Sequence, residues 1–240
     1  KCISCVHDSD EKTLLWSAFS RLIITKKLGV SLAMDVSHSR PHRKYQKAPV
    51  SPFDKFLQAV EYIKKNAPFR NGSTKVAPAI IRRGDARVSP FRSDSVDIVI
   101  TSPPYLNAID YIRGHKLSLV WMGYSIKSLR LVRSGNIGSE RSVYLNEPNE
   151  LMSILKRMGD IDKLDKRHRG MIMRYLNDMG RVISECRRVL RDNGEAVFVI
   201  GNSAIRGVYV KNSEALIDLA QKSGFKLPSK TTRPLPESRR

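Results

Sequence analysis

Three features of this 240-residue sequence predict an α/β fold, a sheet with helices on its faces. A short β-branched run, Val96-Asp97-Ile98-Val99-Ile100, has the length and composition of a buried strand. Residues 171 to 190 carry the cleanest helical period in the chain, and a second strand-like run from Glu195 to Ile200 follows them. The length and a 41% apolar content suit one α/β domain with a real core.

From the N-terminus, Leu14, Leu15, Ala18, Phe19, Leu22 and Ile23 recur at helical spacing, which predicts an amphipathic helix over residues 13 to 26. Phe53, Phe56, Leu57, Val60 and Ile63 mark a second. Between them, after Gly29 and before Pro49 and Pro52, Ser37 to Lys44 is the densest cationic segment and reads as an exposed, irregular loop. Arg40 and Arg43 make it a phosphate-contacting candidate; the alternative is an ordinary solvated loop. Residues 1–74 are thus expected to form a helical segment with a basic loop, and 75–240 the catalytic region. Ala79 to Arg83 reads as a strand that ends in a Gly84-Asp85 turn, one short connection before the run at Val96.

That run ends in Thr101-Ser102-Pro103-Pro104-Tyr105. Two consecutive prolines exclude helix and remove two N–H donors, so the backbone leaves the sheet extended, with carbonyls free to accept. A hydroxyl, free carbonyls and an aromatic ring then sit at the C-terminal tip of a strand, where open α/β sheets bind ligands. Such a tip suits a flat group that carries an NH₂. Taken alone, Ser-Pro-Pro is equally a rigid turn without chemistry.

The segment resembles the catalytic motif of DNA amino-methyltransferases, in which Ser, Asp or Asn precedes Pro-Pro and Tyr or Phe. The resemblance implies S-adenosylmethionine as cofactor, DNA as partner and a Rossmann-like methyltransferase sheet with flanking helices. It implies that Ser102, Pro103, Pro104 and Tyr105 are the catalytic segment, with the ring stacked on a base flipped from the duplex. The family carries a Gly-Asp-Ala element one strand earlier, beside the adenosine part of the cofactor, which points to Asp85 and Ala86; an ordinary turn aspartate is the alternative. Asp94-Ser95-Val96-Asp97 follows the family's approach to its catalytic strand, and the run from Leu106 to Lys116 looks like one subgroup of these enzymes. Arg113, His115 and Lys116 lie where the phosphates of a flipped nucleotide would pass, or else form a solvated cationic helix face. Ser at the first motif position leans towards cytosine N4, with adenine N6 second. A non-catalytic methyltransferase-like nucleic-acid-binding subunit is the competing class, and an RNA amino-methyltransferase the third.

The span 125–169 is polar and poorly periodic, an insertion suited to target recognition. In the helix that follows, Ile172, Tyr175, Leu176, Met179, Val182, Ile183, Cys186, Val189 and Leu190 share one stripe, with Arg, Asp, Asn and Glu opposite. Asp192-Asn193-Gly194 stops it. Asn212 or Ser213 caps a last helix to about Ser223, Gly224 closes it and Phe225 opens an edge strand.

Forty-three Lys and Arg against twenty-three Asp and Glu give a net charge of +20, which favours a polyanion. No run approaches eighteen apolar residues and no signal peptide opens the sequence, so a soluble, cytoplasmic protein is expected. Three cysteines argue against a disulfide scaffold; Cys2 and Cys5 with His7 have the spacing of half a metal site, and no second pair completes it, so no metal is expected. A methyltransferase sheet also needs a first strand with a Gly-rich turn, and nothing before Asp85 supplies one. An incomplete domain is therefore expected, with the missing strands upstream and weak cofactor binding by this segment alone.

Overall fold

The computed structural model describes residues 2–23, 30, 33–34, 42–43, 45–66, 79–106, 111–138 and 149–234. The chain divides into two compact units, Lys1–Ile81 with Ile109–Arg133, and Arg82–Ala108 with Ser134–Arg240.

The first unit is helical. Helix α1 (Ser9–Ile23) begins five residues before the apolar stripe, because Asp8 Oδ1 accepts from the N–H groups of Asp10 and Glu11, both at 2.8 Å. Strands β1 (Ala33–Met34) and β2 (His42–Arg43) pair antiparallel, so part of the cationic segment is strand and not irregular loop; Arg40 lies outside the described residues. Helix α2 (Pro52–Asn66) buries Ala59 against Ala18 and Leu22 of α1, with Phe19, Phe56, Val60 and Ile63 around them. Helix α3 (Tyr111–Trp121) sets Trp121 edge-on to Phe19 at 6.1 Å between ring centroids.

The second unit is organised by two strands and one long helix. Strand β3 (Val96–Thr101) pairs parallel with β4 (Leu190–Phe198), in register from Ile98 opposite Glu195 to Thr101 opposite Phe198. Helix α6 (Lys166–Val189) runs directly into β4. All nine apolar residues of its expected stripe are buried. The helix begins six residues before that stripe because Asp165 caps it, accepting from the His168 N–H at 2.8 Å. Helices α5 (Asn149–Arg157) and α7 (Asn212–Lys222) pack on α6 around Ile154, Met158, Leu216 and Leu219.

The expected turn at Asp192-Asn193-Gly194 is present, but inside β4, as a bulge in the ladder between the Val96 and Ile98 pairs. Asn193 has φ +64° there. A Cβ on Gly194 would lie 2.9 Å from Arg191 O and 3.1 Å from Asp97 O, so glycine alone fits between the strands.

Four expectations differ from the structure. The strand at Val96 is covered on one face only. Val99, Phe198 and Ile200 pack on the core, whereas Ile98, Ile100, Val197 and Val199 are exposed on the other face. No strand spans 79–83, because that stretch has no ladder partner among the described residues; only an isolated Asp85–Val88 bridge forms. The 125–169 span is largely helical where described, through α4 (Ile126–Gly135), α5 and a 3₁₀ turn at Ile161–Lys163. Phe225 opens no strand; it packs against the core just past Gly224, which has φ +86°. A hairpin absent from the sequence reading, β5 (Ser203–Ile205) and β6 (Val208–Val210), turns through Arg206 and Gly207 at φ +51° and +80°. The mixed fold with its small parallel sheet is compatible with the α/β class. No helix among the described residues is long and apolar enough to cross a membrane.

The core of the second unit rests on α6, which fixes an expected outcome. Leu176→Ala, at a fully buried position, should cost about 2–5 kcal/mol in urea unfolding, whereas Ile100→Thr on the bare sheet face should change it by less than ~0.5 kcal/mol. Equal effects would contradict this division of the sheet into covered and bare faces.

Candidate active site

Parallel pairing continues one residue past the end of β4, where the Val199 N–H donates to Thr101 O at 2.9 Å. The chain then leaves the sheet through Ser102-Pro103-Pro104-Tyr105. Pro103 is buried and Leu106, 1% exposed, anchors the far end; Ser102 and Pro104, on either side of Pro103, are exposed. No hydrogen bond among the described residues engages the carbonyl of Pro103. Tyr105 is 38% exposed, with its hydroxyl 3.5 Å from Ser102 Oγ. Gly201 neighbours the ring, and a Cβ there would lie 3.5 Å from Cε2. Tyr175 of α6 lies close by, its hydroxyl buried and without a hydrogen-bond partner; burial, and then the neighbouring Tyr105, raise its pKa above the ordinary tyrosine range. The tip thus presents an exposed hydroxyl and a partly exposed aromatic ring, beside a buried proline whose carbonyl accepts from none of the described residues.

Asp85 sits in the turn closed by the Val88 N–H on Asp85 O at 3.0 Å. Its carboxylate is half exposed and clasped by Arg87, whose Nη2 donates to Oδ2 at 2.7 Å and whose backbone N–H donates to Oδ1 at 2.9 Å. The Arg87 hydrogen bonds hold the carboxyl at about 2, well below the usual range. Arg87 extends further, donating from Nη1 to Asp178 Oδ1 at 2.9 Å and from Nη2 to Gly135 O at 2.9 Å. Asp178 is 4% exposed, and it also accepts from the Gly138 N–H at 3.3 Å and pairs with Arg174. Nearer the helix end, Glu185 Oε1 accepts from both the N–H and the hydroxyl of Ser89 at 2.7 Å. Arg188 holds the Phe91 carbonyl at 2.8 Å, and the Asp94 and Ser95 N–H groups donate to the Arg188 and Val189 carbonyls. One side of α6 therefore fastens the whole approach to β3.

These partners escaped the sequence reading. Asp178 belonged to the polar face opposite the stripe, and it is buried only because Arg87 and Arg174 reach it. No periodicity reports such a pair; Arg87, two residues past Asp85, was the available signal. Ala86 is exposed in the same turn. The remaining candidates belong to the first unit: Arg113, His115 and Lys116 are exposed on α3, and Arg43 donates to the Tyr45 and Gln46 carbonyls, both at 3.2 Å. An open cavity of about 500 Å³ runs along α6 between Arg87, Leu176, Arg181 and Arg188. None of Ser102 to Tyr105 lines it, so the strand tip and not this cavity is the candidate site. Among the described residues no three His, Cys, Asp or Glu side chains gather as metal ligands.

The mixed fold with its small parallel sheet is compatible with that of an α/β methyltransferase. The chain is similar to the type II methyltransferase M.AvaI from Nostoc sp. (strain PCC 7120 / SAG 25.82 / UTEX 2576), 26% identical over 212 residues that cover 76% of this chain and 43% of that protein. It is similar to the same degree to type II methyltransferase M.AvaI of Anabaena variabilis. The chain thus spans less than half the length of the curated relatives it matches. No family model matches it, and no solved structure does. This similarity supports a relationship to DNA methyltransferases.

The clasp along α6 is sensitive to acid. Asp85 falls from 3.8 to about 2 under Arg87, and Glu185 from 4.5 to about 2 under Arg188 and then Ser89. Both carboxyls are more acidic folded than unfolded, so their stabilisation is complete above about pH 4.5 and is lost as pH falls towards about 2. Urea unfolding between pH 6 and 3 should show stability falling with acid, and Glu185→Gln should flatten that fall. An unchanged slope in the variant would contradict the role of Glu185.

Proposed function

We propose that this chain carries the catalytic strand of a DNA amino-methyltransferase that methylates the N4 of a flipped cytosine, as in restriction–modification. The single observation that carries the reading is the exposed Ser102 hydroxyl at the tip of a parallel strand, beside a Pro103 carbonyl that none of the described residues engages and the partly exposed ring of Tyr105. An amino group conjugated to a base is a poor nucleophile, because its lone pair is delocalised into the ring. Ser102 Oγ and the Pro103 carbonyl accept its two N–H bonds. That draws the nitrogen towards a pyramidal form and frees the lone pair, which is catalysis by positioning and electrostatics. Tyr105 stacks on the base and fixes its plane.

S-adenosylmethionine, when bound, supplies an electrophilic methyl group. The residues present fit its adenosine end: Asp85 is half exposed and held ionised, so it is an acceptor for hydroxyl or amino donors beside Ala86. The +20 charge suits the DNA backbone, with Arg40, Arg43, Arg113, His115 and Lys116 as phosphate contacts. The similarity to type II methyltransferases supports the restriction–modification setting. Ser102 favours cytosine; adenine N6 is the alternative that the same acceptor pair would serve.

The test is transfer of a tritiated methyl group from S-adenosylmethionine to duplex DNA by the full-length protein. Ser102→Ala should lower transfer by ~10²-fold with DNA binding nearly intact, the scale of one lost preorganised contact. Undiminished transfer would remove Ser102 from the mechanism. Tyr105→Ala should weaken binding to a duplex mismatched at the target by about 1–3 kcal/mol, the usual worth of one base–aromatic stack. Tyr105→Phe should be nearly silent, and equal damage in both variants would rule out stacking.

A further inference from the structure

A buried amide stands behind the strand tip. Asn212, the first residue of α7, is fully buried, and its side chain does not cap its own helix. Asn202 does that from the preceding loop, its Oδ1 accepting from the Ser213 N–H at 3.0 Å. The Asn212 amide turns the other way. Its Nδ2 donates to Gly201 O at 3.0 Å and to Ser203 Oγ at 2.8 Å, and the Ser203 hydroxyl donates onward to Leu106 O at 2.8 Å. The polarity of this chain is fixed. Ser203 gives its only hydrogen to Leu106 and must accept from Asn212, and Gly201 O can only accept, so the amide has one usable orientation. Its Oδ1 is left buried without a protein partner, and a buried amide oxygen in that state is costly. Asparagine at this position is therefore not the choice of helix capping or core packing. Both ends of its network adjoin one side chain: Leu106 follows Tyr105 in the chain, and Gly201 neighbours its ring.

We infer that Asn212, acting through Ser203 and Gly201, is a positioning residue that fixes the backbone at Leu106 and Gly201, the two neighbours of the Tyr105 ring, and so sets the plane on which a base stacks. The inference rests on the methyl-transfer reading for its consequence, but not for its geometry. A Cβ added at Gly201 would lie 3.5 Å from Tyr105 Cε2, so this residue is a near neighbour of the ring. The hydrogen bond to Leu106 keeps the residue after the tyrosine from drifting. Without the brace, the ring would sample orientations in which the acceptor pair at Ser102 and Pro103 and the stacking face are not in place together.

The experiment uses the full-length protein with 3-fluorotyrosine incorporated, the Tyr105 ¹⁹F resonance being assigned by its loss in Tyr105→Phe. Ser203→Ala removes the relay at a partly exposed position, and Asn212→Asp replaces the donor with an acceptor at constant shape. Both should shift and broaden the Tyr105 resonance, and Ser203→Thr, which keeps the hydroxyl, should restore it. In methyl transfer, Ser203→Ala should lower kcat by about 10- to 100-fold with KM for DNA within about twofold, the pattern of a misplaced group. An unchanged Tyr105 resonance in folded Ser203→Ala overturns the brace, whether or not the protein methylates DNA. A wild-type protein that transfers no methyl while the resonance responds as expected overturns the methyl-transfer reading instead. Loss of kcat that Ser203→Thr fails to rescue, in step with lower thermal stability, also overturns the positioning role.

Discussion

The parallel pairing of β3 with β4 is the constraint on which the candidate site depends. Parallel strands end at the same edge, so the segments that leave them emerge side by side. With Thr101 opposite Phe198 and the Val199 N–H on Thr101 O, Ser102–Tyr105 and Val199–Ser203 must run out together. The Tyr105–Gly201 proximity, the Ser203–Leu106 bond and the reach of Asn212 back to Gly201 all follow from that pairing. An antiparallel partner would have sent the two loops to opposite ends and left the proline segment unsupported. The two prolines add their own part. Having no N–H, they leave the sheet without orphaned donors.

Helix α6 holds the strand pair from behind, through both apolar and polar contacts. Its stripe supplies the buried area, whereas its other side is a row of ionic contacts from Asp178 to Arg188 that pins residues 85 to 95. Burying the Asp178 carboxylate costs desolvation that pairing with Arg87 only roughly offsets, so the net stability from such a pair is small. What it supplies is placement. Asp85 is fixed to the same guanidinium that anchors Asp178, and the Gly84-Asp85 turn is registered on the helix without being part of the sheet.

Much of this was legible in the sequence where a single physical rule dominated. The α6 stripe obeys the helical period and every member is buried. The Val96 strand, the Pro-Pro exit, and the Gly224 stop after the last helix each carry local chemistry that fixes them. Legibility failed where the deciding partner is distant in the chain. The Ala79–Arg83 run has strand composition but no ladder partner among the described residues, and composition cannot report a missing neighbour. The caps Asp8 and Asp165 lie outside the apolar periods, so both helices begin earlier than periodicity suggests. Asn212 looked like a helix cap, the commonest use of asparagine there, and its actual bonds go to Gly201 and Ser203. Tyr105, Gly201 and Asn212 become a unit only once the parallel register brings residues about a hundred positions apart to one edge.

The most direct test of the central claim is the chemistry of the product. DNA from a host devoid of base methylation, expressing the full-length protein, is digested to nucleosides and analysed by mass spectrometry. The account predicts N4-methylcytosine. N6-methyladenine would keep the strand-tip mechanism and overturn the choice of base, and DNA with no methylated amino group would contradict the catalytic reading of Ser102–Tyr105.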